Sequence, residues 1–287
     1  MKIQKVIIVT TIIFFTSLIQ STEHPALCED KINFAVIFLG GPDTGAEGEK
    51  IITQFMNSLS KLSGLKKDSL QGKYFNTIDA AKAYIKQHKN SYIMGSIAFY
   101  LANRKSMNLT PLAVVKIQGS DEEQYYLAVN KGRYKSIAEL KGKVLSGNIL
   151  YEDKKFINRI IFNDTIDISD YFKLKPTNRP LSAVKKLIKE EYDAVLLNHL
   201  QYNNLKNLAD FNKIQIIYES RKIPALGLMM INTSKNNSVK NKIVSSVTKM
   251  CNQKDTNEAC KNFGIDGFAP ISTEMLDNEI KKYENAQ

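Results

Sequence analysis

Catalytic signatures are what this chain lacks. It has no Gly-x-Ser-x-Gly elbow, no His-Glu-x-x-His pair and no cysteine–histidine couple, which leaves the usual nucleophile and metalloprotease arrangements without residues. Carboxylates are plentiful, but no pair stands out for acid–base work, and the chain reads as a non-enzyme. Cysteine and histidine are scarce, 3 of each. Cys251 and Cys260 lie far in sequence from His88 and His199, and eight intervening residues is not a zinc spacing, so no metal or cofactor is expected. The glycine-rich loop Gly40-Gly41-Pro42-Asp43-Thr44-Gly45 lacks the lysine of a phosphate-binding loop and the pattern of a dinucleotide fingerprint. The net charge is +11, yet there is no arginine-rich arm and no basic groove interleaved with aromatics, which argues against nucleic acid. Low-complexity tracts and internal repeats are absent too.

What is present begins with a leader. Lys2 and Lys5 precede the apolar or hydroxyl run Val6 to Ile19, 14 residues, against the ~20 that span a bilayer. A basic start followed by such a run is a secretory signal, placed at 1–28, with cleavage after Cys28 or earlier after Ser21. Leu27 makes a poor lipobox ahead of Cys28, against a lipid anchor. Removing 28 residues leaves 287 − 28 = 259, enough for one large core or two lobes. Loss of Lys2, Lys5 and Glu23 gives 11 − 2 + 1 = +10, a balance that favours anionic partners or a generally lysine-rich surface. In an oxidising compartment Cys251 and Cys260 can close a small loop, contributing about 2–3 kcal/mol.

Strand and helix alternate along the rest. Ile32 to Leu39 is a strand, followed by the glycine-rich loop and an amphipathic helix at 49–62. Further strands are expected at 74–75, 92–94, 111–117, 125–129, 193–197, 214–218 and 228–231, with helices at 79–87, 181–189, 200–208, 238–250 and 273–283 between them. Such alternation predicts mostly parallel sheets with both faces covered. The stretch Ser136 to Phe162 is central: Ser136 and Glu139 have capping-box spacing, Val144-Leu145 opens a strand, and a helix starts near Tyr151 or Glu152. Loops leading from a strand into a helix are where α/β sheets hold ligands.

Several blocks in order resemble a known family. Asp79 to Ile85 with Tyr92 to Tyr100, then Tyr125 to Val129 with Ser136 to Val144, then Ala183 to Leu187 with Tyr192 to Val195, and finally Pro224 to Met230 are similar to the phosphate/phosphonate-type periplasmic solute-binding proteins of ABC importers. The resemblance spans most of residues 32–250. It implies a two-lobed, type 2 periplasmic-binding-protein-like α/β fold, each lobe a mostly parallel sheet flanked by helices, joined by two hinge crossovers. Lobe 1 would comprise 29–118 plus 224–287, and lobe 2 119–223. The implied function is capture of a small, anionic, phosphate- or phosphonate-like solute in the interlobe cleft by a monomer that then meets the importer's permease subunits, in the periplasm or secreted. The rival reading is the same fold reused as an extracytoplasmic sensor or accessory protein with a different ligand.

Family members that bind phosphonates have a Ser/Thr-rich turn where this chain has Leu150-Tyr151-Glu152-Asp153-Lys154. Two carboxylates there suit a helix start and would repel a phosphonate. Their plain role is capping; their functional role would be to select a cationic or neutral ligand, or to mark a cleft that has lost the phosphonate. Arg179 stands near a position where the family often carries histidine, and Asn198 where it often carries aspartate. Position in the loops adds Asp43, Thr44, Ser96 and Tyr100. The expected ligand-binding set is therefore Asp43, Thr44, Ser96, Tyr100, Tyr151, Glu152, Arg179 and Asn198, with His199 able to titrate near neutrality.

Overall fold

A computed structural model describes residues 31–88, 91–232 and 237–285. The expected secretory signal, its cleavage site and Cys28 lie outside the described residues. No described helix is long and apolar enough to cross a membrane.

In chain order the strands are β1 (Ile32–Ile37), β2 (Leu70–Phe75), β3 (Ser91–Met94), β4 (Leu109–Lys116), β5 (Glu122–Glu123), β6 (Tyr125–Asn130), β7 (Val144–Gly147), β8 (Lys173–Pro176), β9 (Ala194–Asn198), β10 (Ile214–Glu219), β11 (Ile223–Pro224), β12 (Leu226–Ile231) and β13 (Gly267–Pro270). The helices are α1 (Gly45–Ser63), α2 (Ile78–Gln87), α3 (Ile97–Asn103), α4 (Lys154–Phe156), α5 (Ile168–Tyr171), α6 (Pro180–Ile188), α7 (His199–Leu205), α8 (Asn237–Met250), α9 (Asn257–Phe263) and α10 (Asp277–Glu284).

Two sheets carry the fold, in the orders β13-β4-β12-β3-β1-β2 and β10-β6-β9-β7-β8. The first draws its strands from residues 32–116 and 226–270, the second from 125–219. The two share a pattern. In each, three neighbouring strands pair in parallel, β2-β1-β3 and β8-β7-β9. A reversed strand then follows, β12 or β6, antiparallel to both neighbours. Most strands point one way, as the sequence predicts; β12 and β6 are the reversed strands that arrive from the other half, and the edge strand β13, antiparallel to β4, is reversed as well. A two-stranded ribbon, β5 with β11, ties the crossovers together, Ile223 facing Glu123 and Pro224 facing Glu122.

Local chemistry explains the elements. The five residues that follow Ile32 in β1 are all buried, as a strand covered on both faces requires. Helix α1 buries Ile52, Phe55, Met56 and Leu59 along one stripe and stops at Gly64, whose φ of 61° suits the residue after a helix. After β7 the chain departs from a plain helix. A 3-10 turn at Asn148–Tyr151 leads into α4, and a wide π turn covers Ile157–Ile161.

The core is continuous across the two sheets. One apolar cluster takes in Ile97, Tyr100 and Leu101 of α3, Phe156 and Ile160 after β7, Tyr125 and Leu127 of β6, and Leu276, Ile280 and Tyr283 near the C-terminus. Buried side chains of this size contribute about 1.5–3 kcal/mol each, so the seam between the halves is itself stabilising. The sulfurs of Cys251 and Cys260 lie at bonding distance, 2.08 Å, with Cα atoms 5.5 Å apart.

Candidate functional site

The loops that leave β1, β3, β7 and β9 all lie at carboxyl ends of parallel strands, and β3 and β9 stand beside the reversed strands β12 and β6, the position where open α/β sheets hold ligands. Ser96 ends the β3 loop and caps α3, its Oγ accepting from the Phe99 backbone N–H at 3.1 Å. The same hydroxyl donates to Glu152 Oε1 at 2.8 Å. Ser96 belongs to the first sheet's half and Glu152 to the second's, so this bond joins them.

Residues 151–153 all touch the other half. The Tyr151 ring lies over Gly40, so closely that a Cβ at Gly40 would stand 2.3 Å from its Cδ2. Gly40 also has a φ of +66°. Asp153 Oδ1 caps α4 by accepting from the Phe156 N–H at 3.0 Å, and it also accepts from the Tyr283 hydroxyl at 2.9 Å. Capping therefore falls to Asp153 alone, and Glu152 is released for Ser96.

Glu152 is an unusual carboxylate. Its Oε2 is buried and has no hydrogen-bond partner. Burial pushes its carboxyl up to about 7; the Ser96 hydrogen bond acts in the opposite sense and the nearby Asp153 charge adds to the rise. A second carboxyl, Glu123 in the β5 ribbon, is also pushed up to about 7 by burial, against the pull of two backbone N–H groups. Its Oε1 accepts from the His199 N–H at 2.9 Å and the Gln124 N–H at 3.3 Å. Both carboxyls act on Tyr125, whose phenol is raised first by burial and then by the two carboxylates.

Amides complete the surroundings. Asn198 caps α7 in a reciprocal box with Gln201: the Gln201 N–H donates to Asn198 Oδ1 at 2.9 Å, and the Asn198 N–H donates to Gln201 Oε1 at 3.2 Å. Gln201 Nε2 also donates to Asn148 Oδ1 at 2.9 Å, tying the β9 loop to the β7 loop. His199 holds Asn203 at 2.9 Å through Nε2, and burial, then Lys206 and Lys222, lower its pKa.

The expected site residues divide. Ser96, Tyr151 and Glu152 come together. Asn198 reaches them through Gln201 and Asn148. Asp43 is exposed and accepts from Asn76 Nδ2 at 2.7 Å, while Thr44 stands at the start of α1 without capping it through its side chain. Arg179 is exposed at the start of α6. Tyr100 must be corrected: at 1% exposure it is a core residue, its hydroxyl bonded to Thr273. Glu123 was missed, because an acidic pair in sequence reads as solvated surface and only the ribbon pairing buries it. Two cavities, about 180 Å³ beside α10 and about 200 Å³ between α6 and α7, are lined by other residues, and neither opens on the Ser96–Glu152 contact.

Solved structures resemble this chain throughout. XAC2383 from Xanthomonas citri bound to chloride superposes with a TM-score of 0.70 at 11% identity, covering 88% of this chain and 98% of that one. PhnD1 from Prochlorococcus marinus in complex with methylphosphonate gives 0.65 at 14%, covering 88% and 97%. A binding protein component of an ABC phosphonate transporter from Pseudomonas aeruginosa gives 0.65 at 13%, covering 86% and 83%. At such identities these likenesses establish the two-lobed, type 2 binding-protein fold. No curated protein sequence matches. The profile of the family described as ABC transporter, phosphonate, periplasmic substrate-binding protein matches residues 47–276. The chain therefore belongs to the phosphonate-type periplasmic substrate-binding family, whose members are non-enzymatic solute-binding components of ABC importers.

Proposed function

We propose that this protein captures a small polar solute outside the cytoplasmic membrane and delivers it to the permease subunits of an ABC importer. The observation that carries the reading is the Ser96–Glu152 bond, in which loops from the two halves meet at the carboxyl ends of β3 and β7. Capture would proceed by the halves parting about the β5–β11 ribbon and closing over the solute. Lobe 1 would be 29–118 plus 224–287 and lobe 2 119–223, and the protein would work as a monomer after removal of the N-terminal signal. Family membership and the Cys251–Cys260 pairing support an extracytoplasmic location.

The oxyanion expected of this family fits the residues poorly here. A phosphonate needs donors; the Ser96 hydroxyl is spent on Glu152, and both ionisable groups around Tyr125 are acids. The same self-filling favours the second reading, a sensor or accessory protein derived from a binding protein. Reconstitution with the permease and ATPase subunits of its importer separates them. Transport predicts that the chain stimulates ATP hydrolysis by that importer. A protein that instead binds and alters a neighbouring histidine kinase or cyclase, and leaves the importer untouched, is a sensor.

A further inference from the structure

The centre around Tyr125 is rich in acceptors and poor in donors. Glu152 Oε2 is buried without a partner. No ion pair among the described residues includes Glu123 or Glu152. Lys155, close in sequence, is turned away, its Nζ 4.6 Å from the centre of the Tyr283 ring. The chain has 40 lysines and arginines, yet none of those among the described residues pairs with either of these two shielded carboxyls. Buried charges are ordinarily paired, because leaving one uncompensated is costly. Asn148 accepts from Gln201 through Oδ1, and its Nδ2 makes no bond to Glu152 Oε2, which has no partner. The missing element is a donor that carries positive charge.

Resting on the solute-binding reading above, we infer that the cleft's ligand is a cation: a protonated amine or guanidinium whose N–H groups satisfy Glu152 Oε2, with Glu123 as the second counter-charge. Glu152 then does two jobs. Its Oε1 holds Ser96 across the two halves. With the ligand present, Oε2 gains the donor it lacks, and closure strengthens because a desolvated carboxylate is compensated.

Calorimetric titration tests this on the purified chain at about pH 8, where a carboxyl titrating near 7 is ionised. The cationic probes are choline, putrescine and agmatine; the anionic probes are phosphate, methylphosphonate and sulfate. The expected result is binding of at least one cation, weakened about tenfold or more in Glu152→Gln and in Glu123→Gln, against no loss in Glu258→Gln, an exposed position on α9. Binding of an anion in preference to every cation, unchanged or tightened in Glu152→Gln, overturns the inference while leaving solute capture intact. Stabilisation by acid alone, with no probe bound, means Glu152 holds only a proton and overturns it as well. The wild-type preference between cations and anions decides the matter even if a variant fails to fold. The importer assay judges the solute-binding reading independently.

Discussion

Ser96 and Glu152 are 56 residues apart in sequence and share one hydrogen, donated by the serine hydroxyl across 2.8 Å to a carboxylate that has no other partner. That contact joins the β3 loop of one sheet to the β7 loop of the other. It also shields an acid, which gives the protein a measurable pH response.

In the unfolded chain Glu152 titrates near its ordinary 4.5; folded, burial first and Asp153 second carry it to about 7. Below the lower value it is protonated in both states and folding carries no penalty. Between the two values the unfolded chain gives up its proton while the folded one keeps it, so stability falls as pH rises toward 7 and levels off once both states are ionised. The full shift corresponds to about 3 kcal/mol as an upper bound. Glu123 acts in the same sense. His199, with a lowered pKa, acts in the opposite sense as pH falls below about 6.5. Urea denaturation of wild type and Glu152→Gln between about pH 5 and 8 isolates the one group. The difference between the two should grow in favour of the glutamine variant with rising pH; a constant difference refutes the assignment.

Gly40 offers a steric test. An added methyl meets both the Tyr151 ring, at 2.3 Å, and the Asn148 carbonyl, at 2.9 Å, at a φ of +66°. Gly40→Ala should therefore destabilise by at least about 1 kcal/mol from backbone strain, and more from the contact. Removing the ring relieves part of it. The double variant Gly40→Ala/Tyr151→Ala should be less destabilised than the sum of the singles, and simple additivity would mean that Tyr151 does not cover Gly40 in solution.

Much of this was legible in sequence, and the failures have causes. Strands β1, β6, β9 and β12 announce themselves because they are buried runs of apolar residues. Strand β8, Lys-Leu-Lys-Pro, does not: it is an exposed edge, and no apolar alternation marks it. The capping box expected at Ser136 is not made; Ser136 Oγ donates to Glu139, whose Oε1 also accepts from the Lys135 N–H. Tyr100 was drawn into the site by its place one turn after Ser96, although that turn faces inward. Glu123 escaped because its burial depends on Ile223, its partner in the ribbon 100 residues away.

Tyr283 anchors α10 to the second half through Asp153. Tyr283→Phe keeps the ring and loses the hydroxyl, leaving Asp153 its bond to the Phe156 N–H. The expected cost is about 1 kcal/mol in chemical denaturation. No change in the midpoint would mean the hydroxyl bonds to water instead.

The cysteines give a redox prediction. Paired as a disulfide, Cys251 and Cys260 should resist thiol labelling in denatured, unreduced protein. After reduction both should label, and the melting point should fall in keeping with a loss of about 2–3 kcal/mol for a loop of this size. Full labelling before reduction would show that the bond does not form.

Glu279 tests how α10 holds the hinge region. Arg221, next to the β5–β11 ribbon, donates through Nη1 to Glu279 Oε1 at 2.6 Å, and Glu279 is almost fully buried. Arg221 is already short of partners, its Nε and Nη2 being buried and unbonded. Truncating Glu279 to alanine leaves a guanidinium shielded from water with no counter-charge, a loss of about 3–5 kcal/mol for a broken buried pair. Replacing both residues at once, Arg221→Met with Glu279→Leu, removes both charges and should recover most of that stability. Urea midpoints of the single and double variants measure the difference. If the single variant costs under about 1 kcal/mol, the pair behaves as an exposed one and α10 is not pinned through it.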